Sequence, residues 1–265
     1  MNPASSHVTA SAWRSRHDPW AERRTTGIEA LLHGLDDHVR GRVLDLTRAR
    51  RRFGKGEALY VPGTPVGALF AIQSGSVKAA FGTTDGRRQL VAYHIVGDIV
   101  GFAGLATGKH ADEASAAEPT EAGLLPYLDL ARLARDDPQL HANLTRLLAV
   151  TSARGRASVL RLSSDNARAR LASFLLVLGE RFARRGHSPH AYPLPLTNHE
   201  IGSLIGLTPE TVSRTVSAFA REELLRRGGK RVELVDPERL QKIAAQTLLN
   251  AASRTEPDDA DRRDD

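Results

Sequence analysis

Cysteine is absent from the 265 residues. That absence excludes disulfides, thiolate nucleophiles, zinc–thiolate sites and cysteine-ligated iron–sulfur clusters. Long apolar runs are missing too: none approaches the ~20 residues needed to span a bilayer, so no membrane role is expected. The N-terminus, "MNPASSHVTASAWRSRHDPWAERR", has neither an apolar core nor a cleavage-like pattern, so no secretory signal is read there and a cytoplasmic location is the expectation. Nor is there a nucleophile–base pair, a metal-ligand spacing or a phosphate-cradling glycine loop, which argues against an enzyme.

What is present is 41% hydrophobic and 26% charged residues, enough for one large or two modest domains with their own cores. The net charge is +6, and Arg168, Arg170, Arg181, Arg184, Arg185, Arg221, Arg226, Arg227, Lys230 and Arg231 crowd the C-terminal half. Such a footprint suits a polyanion, nucleic acid above all. A merely solubilising arginine-rich face is the alternative that charge alone leaves open.

Along the chain, residues 1–26 are polar and aperiodic and are expected to be disordered, as is the acidic tail 251–265. Between Leu44 and Leu125, apolar bursts at 69–72, 77–81 and 90–95 alternate with Gly75, Thr84-Asp85-Gly86 and Gly97, which predicts short strands with hairpin punctuation in a small sandwich or barrel. "TTDGRRQ" (83–89) is the clearest hairpin, because Asp-Gly supplies the positive φ angles of a tight turn. After Pro138, Leu140, Leu144, Leu147, Leu148, Thr151, Val159 and Leu162 recur at helical spacing. One long helix over 138–163 follows, and its stripe, carried by Leu140, Leu144, Leu147, Thr151 and Val159, is expected to face the same helix of a second copy in a homodimer. Packing wholly within its own chain is the alternative. Residues 165–186 make a further helix, capped by Asp165 or Asn166 and closed by Gly186.

"LTNHEIGSLIGLTPETVSRTVSAFAREELL" (196–225) carries two helix starts. Thr197 with Glu200 is a capping box. Gly206 permits a left-handed turn, and Thr208 caps a second helix with Pro209 at its first position, where a missing N–H costs nothing. Two short helices about a glycine turn form a helix-turn-helix. Val212, Val216 and Phe219 must face the core, which leaves Glu210, Thr211, Ser213 and Arg214 outward at the end of a recognition helix that enters the major groove. Arg214 suits guanine O6 and N7, Glu210 suits cytosine N4, and Ser213 suits a neighbouring base. The plainer reading makes Glu210 a helix-dipole partner and an i,i+4 ion pair with Arg214. The basic hairpin "RRGGKRVELVD" (226–236) favours DNA, since it can lie along phosphates as a wing. Thr197, Thr208, Thr211, Arg227 and Lys230 are the expected backbone or secondary contacts.

With "SGSVK" (74–78), "GDIVGF" (97–102), "NARARLASFLLVLGERFARRGHSP" (166–189) and "LTNHEIGSLIGLTPETVSR" (196–214), the chain resembles the cyclic-AMP receptor protein/FNR family of bacterial transcription regulators from about Leu44 to Asp236, nearest its FNR and FixK branch. The resemblance implies an α+β architecture: a cyclic-nucleotide-binding-like β-roll sensor domain (27–137), a dimerisation helix (138–163) and a winged helix-turn-helix domain (164–250). It also implies a homodimer on double-stranded DNA, with Glu210, Ser213 and Arg214 reading half-sites similar to TTGAT arranged as TTGAT-N4-ATCAA. Exposed loops such as 83–89 would contact RNA polymerase. Pro209 stands where the cyclic-AMP branch has Arg, which argues against that branch's operator.

The sensor departs from the family. Nucleotide-binding members follow the glycine after "GD" with Glu and then an Arg-Ser pair; here Phe102 follows Gly101, and 108–118 contains no Arg. A buried cyclic phosphate would lack its guanidinium, so cyclic AMP is not expected. The four cysteines of FNR-type oxygen sensors are absent, with Gly123 in the place of the internal one. No cofactor is therefore expected. Haem, held by His94 in its predicted strand, is the alternative, beside a dimer that is constitutively competent because Gly155 stands near the acidic position that opposes pairing in FNR. The competing function is a small-molecule-binding module whose helical domain mediates protein contacts.

Overall fold

The computed structural model describes residues 27–82, 88–162 and 166–253, with side chains of 154–162 and 246–253 left aside. The expected disordered N-terminus, the turn at 83–87, the side chain of Val159 and the tail from 254 lie outside the described residues. The chain enters through α1 (Ile28–Leu32) and α2 (Asp37–Leu46), the latter capped by Asp36, whose carboxylate accepts from the Val39 N–H at 2.8 Å. Neither helix is legible in the sequence, α1 being too short and α2 too polar to show a periodic stripe.

Eight strands follow: β1 (Arg50–Phe53), β2 (Ala58–Tyr60), β3 (Ala68–Ser74), β4 (Ser76–Gly82), β5 (Arg88–Ile95), β6 (Ile99–Val100), β7 (Glu113–Ala116) and β8 (Thr120–Pro126), with a 3-10 turn at Phe102–Ala106. They form two four-stranded antiparallel sheets in the orders β1-β8-β3-β6 and β2-β7-β4-β5. Phe53, Tyr60, Phe70, Ile72, Val77, Val100 and Ala114 fill the interior as one apolar cluster. The 83–89 hairpin is real in its pairing, since Gly82 faces Arg88 across β4 and β5. Gly75 differs from expectation: it joins strands of different sheets, so it is a corner. Its φ of +78°, and the 2.4 Å that would separate a Cβ from Pro119 O, require glycine there.

One outer face of the roll is covered by α1, α2, α3 (Tyr127–Asp136) and the first half of α4 (Pro138–Leu162). Three of the five residues expected to face a second copy are covered by their own chain instead. Leu140, Leu144 and Leu147 are buried against Leu31, Val43, Leu130 and Leu133 of their own chain. Asn143, 3% exposed, pins the helix by donating to Leu31 O at 2.9 Å and His33 O at 2.7 Å. A helical stripe reports that a face is covered without naming the cover, and here the cover is α1 and α3. Thr145, Leu148, Ala149, Thr151 and Ser152 point outward instead.

The C-terminal part comprises α5 (Ala167–Ala183), β9 (Ala191–Pro193), α6 (Asn198–Ile205), α7 (Pro209–Arg221), β10 (Leu225–Gly228), β11 (Arg231–Leu234) and α8 (Pro237–Ser253). Asn166 caps α5, accepting from Arg168 N–H. α8 continues to Ser253, three residues into the expected tail. β9 joins the wing as a third strand, in the order β10-β11-β9. Leu171, Leu175, Phe182, Tyr192, Ile201, Val212, Phe219 and Val232 form its core, and Leu90, Tyr93 and Ile95 of β5 join the same cluster. Among the described residues no helix is long and apolar enough to cross a membrane.

Candidate nucleic-acid interface

The two helix starts form as their residues dictate. The Thr197 hydroxyl accepts from Glu200 N–H at 3.2 Å and the Glu200 carboxylate accepts from Thr197 N–H at 2.8 Å, which completes the capping box of α6. Gly206 turns the chain at φ +65°. Thr208 accepts from Thr211 N–H at 3.3 Å and Pro209 opens α7. The turn folds back on α6 so closely that a Cβ on Gly202 would lie 2.3 Å from Leu207 O.

Val212, Thr215 and Phe219 of α7 are buried, and the Thr215 hydroxyl donates to Thr211 O. Glu210, Ser213, Arg214 and Ser217 are exposed. The sequence pattern thus brings all three base-reading candidates onto one solvent-facing strip. Ser217 lies one turn further on the same strip, and nothing in its immediate sequence neighbours marks it. Arg214 Nη2 donates to the Thr211 hydroxyl at 3.3 Å, and that hydroxyl lies 3.1 Å from the Thr208 hydroxyl. The Glu210 carboxyl is held below the usual carboxylate range by its own backbone N–H, then by the Thr208 hydroxyl and Arg214, so it presents an ionised acceptor.

The wing forms as expected, with its tip at Gly229 and Lys230 and with Lys230 and Arg231 exposed. Arg227 differs from expectation. Its guanidinium turns inward, donating to Asn198 Oδ1 and Leu196 O at 2.6 Å each, so it ties the wing to the start of α6 and does not face outward as a phosphate contact would. Arg226 is exposed, 3.6 Å from Glu233. Other arginines of the charge cluster also work internally. Arg168 forms a two-pronged pair with Glu222, both contacts at 2.7 Å, and lies over the Phe219 ring. Arg170 donates to Gly206 O at 2.9 Å and so braces the helix-helix turn. Arg181 and Arg185 bind Asp98 of the β-roll. Among the described residues of α7 and the wing, Arg214, Arg221, Arg226, Lys230 and Arg231 are exposed and can face a polyanion.

Within the β-roll, the Tyr60 and His110 rings stack at 3.7 Å. His110 and Asp112 are 4% and 6% exposed, and neither His110 Nδ1 nor Asp112 Oδ1 has a hydrogen-bond partner among the described residues. Burial pushes the His110 imidazolium down and the Asp112 carboxyl up. His94 Nδ1 lies 3.9 Å from Asp98, at the junction with α5. Gly123 sits where a Cβ would press on Gln73 and Thr47 O at 3.0 Å.

Two family models match the chain: a Crp-like helix-turn-helix domain over residues 169–243 and a cyclic nucleotide-binding domain over residues 50–137. The fumarate and nitrate reduction regulatory protein of Escherichia coli K12 is 32% identical over 213 residues, covering 80% of this chain and 85% of that protein. The corresponding regulator of Klebsiella oxytoca is 32% identical over 212 residues, with the same coverages. Among solved structures, FixK2 from Bradyrhizobium japonicum superposes with a TM-score of 0.66 at 29% identity, covering 74% of this chain and 96% of FixK2.

Proposed function

The chain belongs to the Crp/FNR family of DNA-binding transcription regulators, and from that premise we propose that it is a homodimer reading TTGAT-like half-sites, arranged as TTGAT-N4-ATCAA, in cytoplasmic DNA. The observation that carries the reading is the division of α7: Val212, Thr215 and Phe219 are buried while Glu210, Ser213 and Arg214 are exposed beside a capped N-terminus. Their donors and acceptors match guanine, cytosine and a flanking base edge in the major groove. Thr197, Thr208, Thr211 and Lys230 supply backbone contacts, and RNA polymerase is the partner at the promoters it activates.

A two-fold operator needs two copies. The face of α4 that remains open, with Thr145, Leu148, Ala149, Thr151 and Ser152, is the surface we assign to the partner helix. Leu148, 38% exposed, is its apolar anchor.

The regulator is not expected to act through a cyclic nucleotide, although that domain model matches. The residues present do not fit one: the sensor interior holds the Asp112 carboxylate, the stacked Tyr60–His110 pair and no arginine within 108–118. A cyclic phosphate there would meet an acid in place of a guanidinium. A cysteine-held cluster has no cysteine ligands in the chain. No enzymatic step is assigned.

Fluorescence anisotropy with TTGAT-N4-ATCAA and a scrambled duplex of the same composition tests the reading. Tighter binding to the first, at a stoichiometry of two chains per duplex, is the expected result. Equal affinity for both would sink it.

A further inference from the structure

The β-roll and the helix-turn-helix are joined by a seam that base reading does not explain. β5 is the outer strand of its sheet, so one row of its backbone groups has no neighbouring strand. α6 covers that edge. The Ser203 hydroxyl accepts from Leu90 N–H at 2.8 Å and donates to Leu90 O at 3.2 Å, behaving as one more rung of the ladder, and Gln89 Nε2 donates to Ser203 O at 3.0 Å. From the adjacent strand, Lys78 Nζ reaches Glu200 Oε1 at 2.6 Å, while the other oxygen of the same carboxylate completes the capping box. A third point lies at the β5–β6 turn. Asp98, 4% exposed, binds Arg181 through one oxygen and Arg185 through the other, and Arg181 also donates to Tyr93 O at 3.0 Å. Leu90, Tyr93 and Ile95 share an apolar cluster with Leu171, Leu175, Ile201 and Ile205 beneath these contacts.

Three attachment points on β4, on β5 and at the turn after it meet two different helices, which removes rotational as well as translational freedom. α7 follows α6 rigidly, because the Gly202–Leu207 approach and the Arg170–Gly206 bond fix the turn between them. α4, for its part, is anchored to the β-roll through Leu140, Leu144 and Asn143. The angle between the recognition helix and the dimer helix is therefore set at the seam together with the places where α4 meets α5 and α6 directly.

We propose that this seam fixes the half-site spacing the dimer accepts, with Lys78, Ser203, Asp98, Arg181 and Arg185 acting as positioning residues for operator recognition. The inference rests on the dimeric, two-half-site reading above. Half-site separation in helix-turn-helix dimers mirrors the separation of the two recognition helices. A rigid seam admits one spacing, whereas a loosened one leaves two tethered readers that tolerate several.

The test uses the full-length protein on TTGAT and ATCAA separated by three to seven base pairs, and on a duplex with a single half-site. Wild type is expected to prefer one spacer by about tenfold over its neighbours, and the Lys78→Met/Ser203→Ala double variant to prefer none by more than about threefold. Single-half-site affinity should be unchanged in that variant, and Lys78→Arg with Ser203 intact should restore the preference. Asp98→Asn should flatten the profile in the same way from the other end of the seam. Variants that keep the wild-type spacer profile overturn the inference alone. So does an equal loss on every duplex including the single half-site, which would mark a merely structural role. A wild type that does not distinguish TTGAT from scrambled DNA overturns the functional reading and this inference with it.

Discussion

Replacing Asp98 with Asn is the sharpest probe of how the two halves are held together. The carboxylate is 4% exposed and faces two guanidiniums, Arg181 and Arg185, of which Arg185 is itself 6% exposed at its side chain. Asparagine keeps an oxygen for the Ile95 N–H, which now donates to Asp98 at 3.0 Å, but takes away the carboxylate charge that faces Arg181 and Arg185. Breaking a buried pair by removing one partner costs about 3–5 kcal/mol, and the retained acceptor puts this variant near the lower end, about 3 kcal/mol. The pH dependence follows from the carboxyl. Burial pushes its pKa up, but Arg181, Arg185, His94 and the Ile95 N–H outweigh burial and bring it down to about 2. A lowered folded-state pKa contributes stability that is fully present above the ordinary carboxylate value near 4 and is lost as pH falls toward 2. The separation of nearly two pH units corresponds to about 2 kcal/mol. Urea unfolding of wild type and Asp98→Asn at a series of pH values should give a gap of about 3 kcal/mol at pH 7 that is unchanged at pH 5 and shrinks between pH 4 and 2. A variant within about 1 kcal/mol of wild type at pH 7, or a gap that does not change with pH, would refute the assignment of Asp98 as the buried anchor of the seam.

Arg214→Ala should cost about 1–3 kcal/mol on TTGAT and little on a duplex with its guanine replaced, as measured by anisotropy. Lys230→Ala at the wing tip should weaken binding to all sequences alike and lower the slope of log affinity against log salt by about one. Gly202→Ala forces a Cβ against Leu207 O and should cost about 1–3 kcal/mol, with operator affinity falling because α7 is displaced. Leu148→Asp should shift native mass toward the monomer while leaving single-half-site binding in place; an undisturbed dimer would remove this face of α4 from the interface.

What was legible in the sequence was what is decided locally. Thr197 with Glu200, Thr208 with Pro209, and Gly206 each act within four residues, so the helix-turn-helix and its outward strip could be read before any tertiary contact was known. The strand bursts were equally local, but their allocation to two sheets was not: Gly75 and Gly97 look like hairpin turns until the partners of β3 and β6 are seen. Arg227 illustrates the limit for charge. Nothing near it in sequence indicates that Asn198 and Leu196, some thirty positions earlier, will take its donors. The leucines of α4 illustrate it for apolar faces, since periodicity fixes which side is buried and leaves the covering element open. The seam itself was invisible, because Asp98 and Arg185 are 87 residues apart and each, taken alone, is an ordinary surface residue type.

The carboxylate of Glu200 has one oxygen on its own helix start and the other on a lysine of the sensor sheet. Glutamine at that position could still close the capping box but would carry no charge to pair with Lys78, so Glu200→Gln removes the ion pair of the seam while leaving the start of α6 and the Ser203 and Asp98 attachments in place. One side chain thus belongs to two structures at once, and a substitution there loosens the hold of the β-roll on α6 without unwinding the helix it begins.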